Sequence, residues 1–503
     1  MSSDTLEFSN LVDRLDWLAE THPDQVALVF GETSLTFSQL RQHSAIAANR
    51  LSSDFDIGHG DRVGWLGLNH PTILVLLFAC ARIGAILLPF NSRLAEAEYH
   101  YLMGHAEPSV IIHDDAFLDM ANALRNRHGV ASISQDDLIT QPTTRDELPP
   151  MGNESNPLLL VYTSGTTGRP KGVVLNHRAL AVNISNCHDI FGFAPGGRVL
   201  ITLPLFHVGG LCILLLPALM HGATVHLHQR FDPQSTISDI EKYKITGTLL
   251  VPAQMAAIMQ PALWDSADFS SLDFLAVGSS IIPQQQIDAF HALGIPVTQV
   301  YGATETGPAA IALPLSETER KSGSAGIAVK HCDIELRSDK GTVCAVGDRG
   351  VVYVHGENLM SHYWRSEEET SAVLNDGWYN TGDIGVADED GYYWIVDRAK
   401  DMIISGGENI YPAEIEAVSL EHPAISAIAV VGKPHDVWGE TPVAVIELGT
   451  GAALSADEYL EFLQNRIARY KQPRSVVFLD ELPRNVMGKI EKPVLRKMVA
   501  NTD

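Results

Sequence analysis

The run Leu158-Leu-Leu-Val-Tyr-Thr-Ser-Gly-Thr-Thr-Gly-Arg-Pro-Lys-Gly172 decides how this chain is read. Leu158 to Thr163 is a compact apolar strand, Ser164 to Gly172 a Ser/Thr/Gly-rich loop, and His177 to Phe191 a helical pattern. Gly165 and Gly168 let backbone N–H groups close on an anion. The hydroxyls of Thr163, Ser164, Thr166 and Thr167 add donors, and Lys171 supplies a point charge. A strand leading in and a helix leading out are the setting of a polyphosphate cradle rather than of a Ser/Gly linker. Lys171 is followed by Gly172, so the loop is not the Walker type GxxxxGK[ST] and a P-loop motor is not indicated.

Outward from this loop, strand runs alternate with helical patterns. Upstream lie an amphipathic stretch Thr36 to Leu51, a strand Arg62 to Leu68, and an apolar run Ile73 to Pro89 that reads as buried helix. Arg82 interrupts that run, which is shorter than the ~20 residues of a membrane span. Downstream, strands are expected at Val199 to Leu203, Thr224 to His228, Gly247 to Val251, Phe274 to Val277 and Val297 to Tyr301. The fold class expected is α/β, a large N-terminal domain of doubly wound mixed and parallel sheets over residues 1–397. Gly350 to His355 and Gly391 to Val396 form a smaller antiparallel section of it. Residues 398–503 read as a small mobile α+β domain: helix Pro412 to Leu420, strands Ile428 to Val431 and Val443 to Leu448, helix Ala456 to Arg469, strand Ser475 to Leu479. The 503 residues exceed the roughly 250–300 over which one core grows, which requires such a division.

Acidic residues outnumber Lys plus Arg by 61 to 35, a net charge of −26 that opposes nucleic acid and anionic membrane surfaces. A polyanionic substrate must therefore meet a local basic site. The five cysteines are scattered without a CxxC pair, and the opening MSSDTLEFSNLVDRL has neither the basic nor the apolar region of a signal peptide. A reduced, cytoplasmic setting without membrane insertion or structural zinc is expected.

Further motifs follow in a fixed order: Gly60-Asp-Arg-Val63, Pro204-Leu-Phe-His-Val-Gly-Gly210, Tyr301-Gly-Ala-Thr-Glu-Thr-Gly307, Tyr379-Asn-Thr-Gly-Asp383, the run from Asp397 to Pro412, and Pro483-Arg-Asn-Val-Met-Gly-Lys489. Together with the phosphate loop they resemble the adenylate-forming superfamily of acyl-CoA synthetases, peptide-synthetase adenylation domains and luciferase. The resemblance runs along nearly the whole chain and leans to the acyl- or aryl-CoA ligase branch. It implies ATP and coenzyme A as co-substrates, Mg²⁺ as cofactor, and a carboxylic acid activated as its acyl-adenylate with release of pyrophosphate.

By this resemblance Tyr301 stacks on adenine, with Gly302 and Gly278 beside it; Thr304 contacts the α-phosphate; Glu305 holds Mg²⁺; and Asp383, with Arg398 nearby, binds the ribose hydroxyls. Lys489 is the adenylation lysine, a movable cation between two anions. Lys400 matches the hinge on which the C-terminal domain swings. Ser405, Gly406 and Gly407 would then face the pantetheine of CoA, and Trp438 either lies near the CoA nucleotide or is a half-buried core residue. A lone His is more often a structural hydrogen-bonding group, but His207 resembles the gate of aryl-CoA ligases.

The acid pocket is expected between Phe206, His207, Val208 and Gly209 on one side and Ser279, Ser280 and Ala303 on the other. No aspartate near His207 suits an α-amino acid. Gln299 and Val300 offer no partner for a second substrate carboxylate. An aromatic, hydroxycinnamic or short-to-medium-chain aliphatic acid is expected. Ser279-Ser280 departs from the pair usual in the family, which leaves the pocket's shape open. The alternatives are an enzyme that loads an acyl carrier protein and a non-catalytic nucleotide or acyl-adenylate sensor, which has no need of Lys489, Glu305 and Lys171 together. Oligomeric state does not follow from the sequence; a homodimer is the assembly kept in view.

Overall fold

Two long sheets share one core in which helix Thr72–Ile83 is buried. The computed structural model describes residues 8, 10–139, 153–163, 169–278, 282, 284–338, 340–398, 403–410, 412–483 and 490–500. Helix Thr72–Ile83 (TILVLLFACARI) has eleven of its twelve residues buried, which an all-round apolar sequence permits only inside a core. It stops at Gly84 in the left-handed region (φ 70°), and the chain continues as strand Ile86–Pro89. The expectation of one buried helix from Ile73 to Pro89 is therefore corrected. Gly84 caps the helix, and the β-favouring Ile-Leu-Leu beyond it pairs in parallel with strand Arg62–Leu66.

The seven-stranded sheet runs His362–Tyr363, Lys171–Asn176, Pro157–Thr163, Ile86–Pro89, Arg62–Leu66, Val110–His113, Ala131–Ser134, and the last five strands are parallel. The nine-stranded sheet is parallel from Val297–Tyr301 through Phe274–Gly278, Gly247–Leu250, Arg198–Ile201 and Thr224–Leu227 to Val26–Phe30, with antiparallel strands at both edges. Residues of both sheets and of helix Thr72–Ile83 share one continuous core. A third sheet of Cys332–Arg337, Arg349–Gly356, Trp378–Ala387, Leu374–Asn375 and Tyr393–Arg398 is antiparallel throughout.

At the phosphate loop the expected strand Leu158 to Thr163 and helix His177 to Phe191 are present, but the loop expected to run to Gly172 ends before Lys171. Lys171–Asn176 is a strand, antiparallel to Pro157–Thr163 with Thr163 opposite Lys171, so the segment between them joins a hairpin. The Val-Val-Leu after Gly172 favours a strand, and helix His177–Phe191 begins only after Asn176, whose side chain caps it. Lys171 is thus presented from a sheet and not from a helix N-terminus.

Residues 403–500 build the remaining sheet, in which strand Ile425–His435 pairs with Gly439–Leu448 and the latter with Ser475–Leu479. Alternate residues of Ile425–His435 feed two cores: Ile428 and Val430 meet Ile415, Tyr459 and Leu463, whereas Ala429 and Val431 meet Leu495 and Val499. Helix Ala456–Leu463 ends six residues before the expected Arg469. The chain turns at Gln464 and Asn465 (φ 63°), a conformation asparagine tolerates, and Ile467, Ala468 and Lys471 then turn inward. Among the described residues no helix is long and apolar enough to cross a membrane.

Candidate active site

Gly278 and Tyr301 end neighbouring parallel strands, with Gly278 in register with Val300, so both lie at the carboxyl edge of the nine-stranded sheet where open α/β sheets take their ligands. Gly302 follows, at a place where a β-carbon would stand 1.7 Å from the carbonyl of Pro308. Only glycine lets the chain turn there into the short helix Thr304–Thr306. The Tyr301 hydroxyl donates to Asp383 Oδ2 at 2.8 Å, which ties the strand end to the antiparallel sheet, where Asp383 is paired with Arg398.

Glu305 is held by the hydroxyl of Tyr363, which donates to its Oε1 at 2.7 Å. Burial pushes its carboxyl up, against the pull of Tyr363 and Lys171. Lys171 stands 5.0 Å over the ring of Tyr363 and 2.9 Å from Glu369 Oε1. Lys171, Tyr363 and Glu305 therefore form one cluster beneath the hairpin. Among the described residues no group of three or more His, Cys, Asp or Glu forms a metal cage. A single hard carboxylate near the Lys171 ammonium would fit Mg²⁺, an ion that needs only one or two protein carboxylates beside substrate phosphates. Burial drives the thiols of Cys80, Cys187 and Cys212 far up and that of Cys332 to about 12, so none of these is a ready nucleophile.

The acid side begins at strand Arg198–Ile201 and continues into a π-helix, Gly209–Leu215. Ile201, Thr202, Leu203, Gly209, Gly210, Leu214 and Leu249 line an apolar crevice too tight to admit a water molecule. A β-carbon at Gly210 would meet the carbonyl of Pro204 at 2.3 Å, whereas one at Gly209 would meet nothing within 4 Å. Gly210 is thus required by packing, and Gly209 leaves space. Thr202 is 2% exposed, and its hydroxyl has no hydrogen-bond partner among the described residues. Phe206 packs its ring 4.6 Å from that of His207 at the cleft's mouth.

His207 is where the two ends of the chain meet. Its Nε2 is 2.9 Å from Oε2 of Glu408, and Arg93 pairs with the other carboxylate oxygen. Burial raises the Glu408 carboxyl, but His207 and Arg93 outweigh it and bring it down to about 2. Glu408 follows the turn Gly406-Gly407 between strands Ile403–Ser405 and Glu408–Ile410. Both glycines have positive φ (60° and 83°). A β-carbon on Gly406 would stand 2.5 Å from the ring of Trp438, and one on Gly407 would stand 3.0 Å from Val251. Side chains are excluded on both counts. Trp438 is half-buried, with Gly406 against its ring and the guanidinium of Arg474 4.6 Å from the ring centroid.

Of the expected site residues, Gly278, Tyr301, Glu305, Asp383 and Lys171 fall in one neighbourhood, and Phe206, His207, Ser405, Gly406 and Gly407 in a second. Lys489, Lys400, Ser279, Ser280 and Ser164 to Gly168 lie outside the described residues, as does the side chain of Arg398. Sequence reasoning missed Tyr363, Glu369, Arg93 and Glu408. Glu408 carried a signal, since it is the charged residue directly after the paired glycines.

Two family models, AMP-binding enzyme over residues 15–364 and AMP-binding enzyme C-terminal domain over 414–489, match the chain. The chain belongs to the AMP-binding enzyme family. This AMP-binding enzyme is similar to an indoleacetate–CoA ligase of Aromatoleum aromaticum, 42% identical over 98% of each chain. It is also similar to a feruloyl-CoA synthase of Amycolatopsis, 38% identical over 95% of this chain and 97% of that one. Among solved structures, a double mutant of the o-succinylbenzoate CoA synthetase of Bacillus subtilis bound to its product analogue OSB-NCoA matches with TM-score 0.89, 31% identity and coverage of 96% and 98%. The same enzyme in complex with its acyl-adenylate intermediate matches at 0.73 with 31% identity and coverage of 97% and 98%. This chain therefore shares its overall arrangement with the first of those structures more closely than with the second.

Proposed function

We propose that this AMP-binding enzyme is an AMP-forming acid–CoA ligase whose acid is an aromatic one, an arylacetate or hydroxycinnamate in class. The observation that carries the reading is Glu408: paired with His207 and Arg93, it seats the Gly406-Gly407 turn against Val251, next to Leu249 of the apolar cleft. A side-chain-free turn between an acid cleft and the Trp438 ring suits the narrow pantetheine arm of CoA. The likeness to ligases named for indoleacetate and ferulate supports a ring-bearing acid, and the open space at Gly209 leaves room beside it.

In the first half-reaction a carboxylate oxygen of the acid attacks the α-phosphorus of ATP, and the bond to the β-phosphate oxygen breaks with pyrophosphate as leaving group. Tyr301 and Asp383 hold adenine and ribose, and Gly302 and Gly278 admit them closely; Lys171 and the hydroxyls of Thr163, Ser164, Thr166 and Thr167 hold the β- and γ-phosphates. Thr304 donates to the α-phosphate. Lys489 spans that phosphate and the attacking carboxylate and offsets their repulsion. Glu305 would hold Mg²⁺, which when bound neutralises charge on the phosphates. In the second half-reaction residues 398–503 turn about Lys400 and carry Lys489 away. The CoA sulfur, passing Ser405, Gly406 and Gly407, attacks the acyl carbon and AMP leaves with the electron pair. Glu408 holds the His207 ring aside at the entrance, and Trp438 with Arg474 offers a stacking face and a cation to the CoA nucleotide.

The test is a pyrophosphate-release screen over indole-3-acetic, ferulic, benzoic, hexanoic and dicarboxylic acids, each with and without free CoA. Release with the aromatic acids, and thioester only when CoA is present, is expected. Release without any thioester would point to a carrier protein as acceptor, and tight nucleotide binding with no release from any acid would point to a sensor.

A further inference from the structure

We propose that Glu98 is a positioning residue of the thioester-forming step: it receives Lys471 and so holds the C-terminal unit with the Gly406-Gly407 turn at the acid cleft. The proposal rests on the reading of the chain as an acid–CoA ligase. Lys471 is 2% exposed, with its ammonium 2.7 Å from Glu98 Oε1 and 2.5 Å from Glu414 Oε1. Glu98 belongs to helix Glu96–Ala106 beside the seven-stranded sheet; Lys471 and Glu414 belong to the unit built from residues 403–500. A buried ammonium is thus shared by two carboxylates that meet only when the two units are docked.

Several features make this a reversible seat and not a merely structural bridge. Glu98 is fixed in place, since its Oε2 accepts from the N–H of Ala95 at 2.9 Å, closing the helix start. Lys471 and Glu414 lie in one unit and travel together, while Glu98 keeps its cap when they leave. Separation therefore strands no lone buried charge, the situation that makes breaking most buried pairs so unfavourable. Burial disfavours the Lys471 ammonium, but Tyr470, Glu414 and Glu98 around it more than compensate and keep it charged. Glu414 feels the opposite balance, with burial pushing its carboxyl up. At the same seam Asn91 Nδ2 donates to the Tyr470 hydroxyl at 3.2 Å, so the chain from Asn91 to Glu98 carries the Tyr470, Glu408 and Lys471 contacts within eight residues. Of these, only the Glu98 contact buries full charges on both sides.

The experiment uses the full chain and Glu98→Gln, which keeps the size and the capping oxygen while removing the charge. Preformed indole-3-acetyl, feruloyl, benzoyl and hexanoyl adenylates are mixed with CoA in single turnovers, and acid-dependent pyrophosphate release is followed separately. Acyl transfer is expected to slow roughly tenfold, within the usual range of coupling between two arrangements, while pyrophosphate release stays within about twofold. Glu98→Asp, with the charge on a shorter arm, should fall between the variant and the wild type; if Glu98→Gln does not fold, this second variant is read by the same criterion. Equal acyl transfer in variant and wild type overturns the proposal, and so does equal slowing of both half-reactions, the mark of a general structural role. Absence of thioester from the wild type with every adenylate overturns instead the acid–CoA ligase reading.

Discussion

Glu408→Gln removes the charge that pairs His207 with the C-terminal unit, and its effect can be worked from the structure. The Glu408 carboxyl lies at about 2 against an ordinary 4.5, because His207 and Arg93 overcome the effect of burial. A difference of about 2.5 units corresponds to about 3.4 kcal/mol at ~1.36 kcal/mol per unit. The partner side chains are 39% and 44% exposed, so water screens them and we assign about half, ~1–2 kcal/mol, to the docked arrangement. The variant should then dock roughly tenfold less often. Stopped-flow thioester formation from a preformed adenylate is expected to slow by about that factor, with pyrophosphate release from acid and ATP unchanged or faster. The pH dependence has a definite sign. A carboxylate whose value is depressed in the folded state contributes fully above its ordinary 4.5, and the contribution fades only as pH falls toward about 2. Glu408 itself therefore stays ionised from pH 6 to 8. A variant that lost both half-reactions in equal measure, or matched the wild type in thioester formation at neutral pH, would refute the reasoning.

Lys489→Ala should abolish acid-dependent pyrophosphate release by a factor of about 100 or more while sparing thioester formation from preformed adenylate; parallel loss in a folded variant would count against the swing about Lys400. Gly209→Val places a branched side chain in space that is empty within 4 Å of its β-carbon. It should lower kcat/KM for two-ring acids about tenfold more than for benzoate, read from a panel of acids of graded size. Burial holds His177 and His226 down at about 4, against an ordinary 6.5, so each favours the folded state fully above pH 6.5 and loses that contribution as pH falls to 4. At about 3 kcal/mol each, an order-of-magnitude figure, the melting temperature should drop steeply across that window and less so in His226→Phe. A melting temperature flat from pH 6.5 to 4 would argue against it.

Much of this molecule was legible because its chemistry is local in the chain. Tyr301-Gly-Ala-Thr-Glu305 places an aromatic, a close-approach glycine and a carboxylate at one strand end, which the Tyr301 hydroxyl ties to Asp383. The seat of the C-terminal unit was not legible, since Lys471 and Glu98 are 373 residues apart and each looks alone like an ordinary surface charge. The strand that follows the phosphate loop was not legible for a different reason. Val173, Val174 and Leu175 continue directly into His177–Phe191, and a short apolar run before a helix carries no mark of the strand opposite it. The π-helix at Gly209–Leu215 has no pattern of its own; it follows from tertiary packing around Gly210, where the carbonyls of Leu203 and Pro204 leave no room for a side chain.

Helix Thr72–Ile83, buried in the core that the two long sheets share, has one more consequence. A rod sunk in one close-packed core shared by both slabs resists their sliding over each other, so the residues they carry at their edges sit on a single frame. Acid preference can then be retuned from the rim, at positions such as Gly209 and Leu249, while the frame that times the two chemical steps is left as it is.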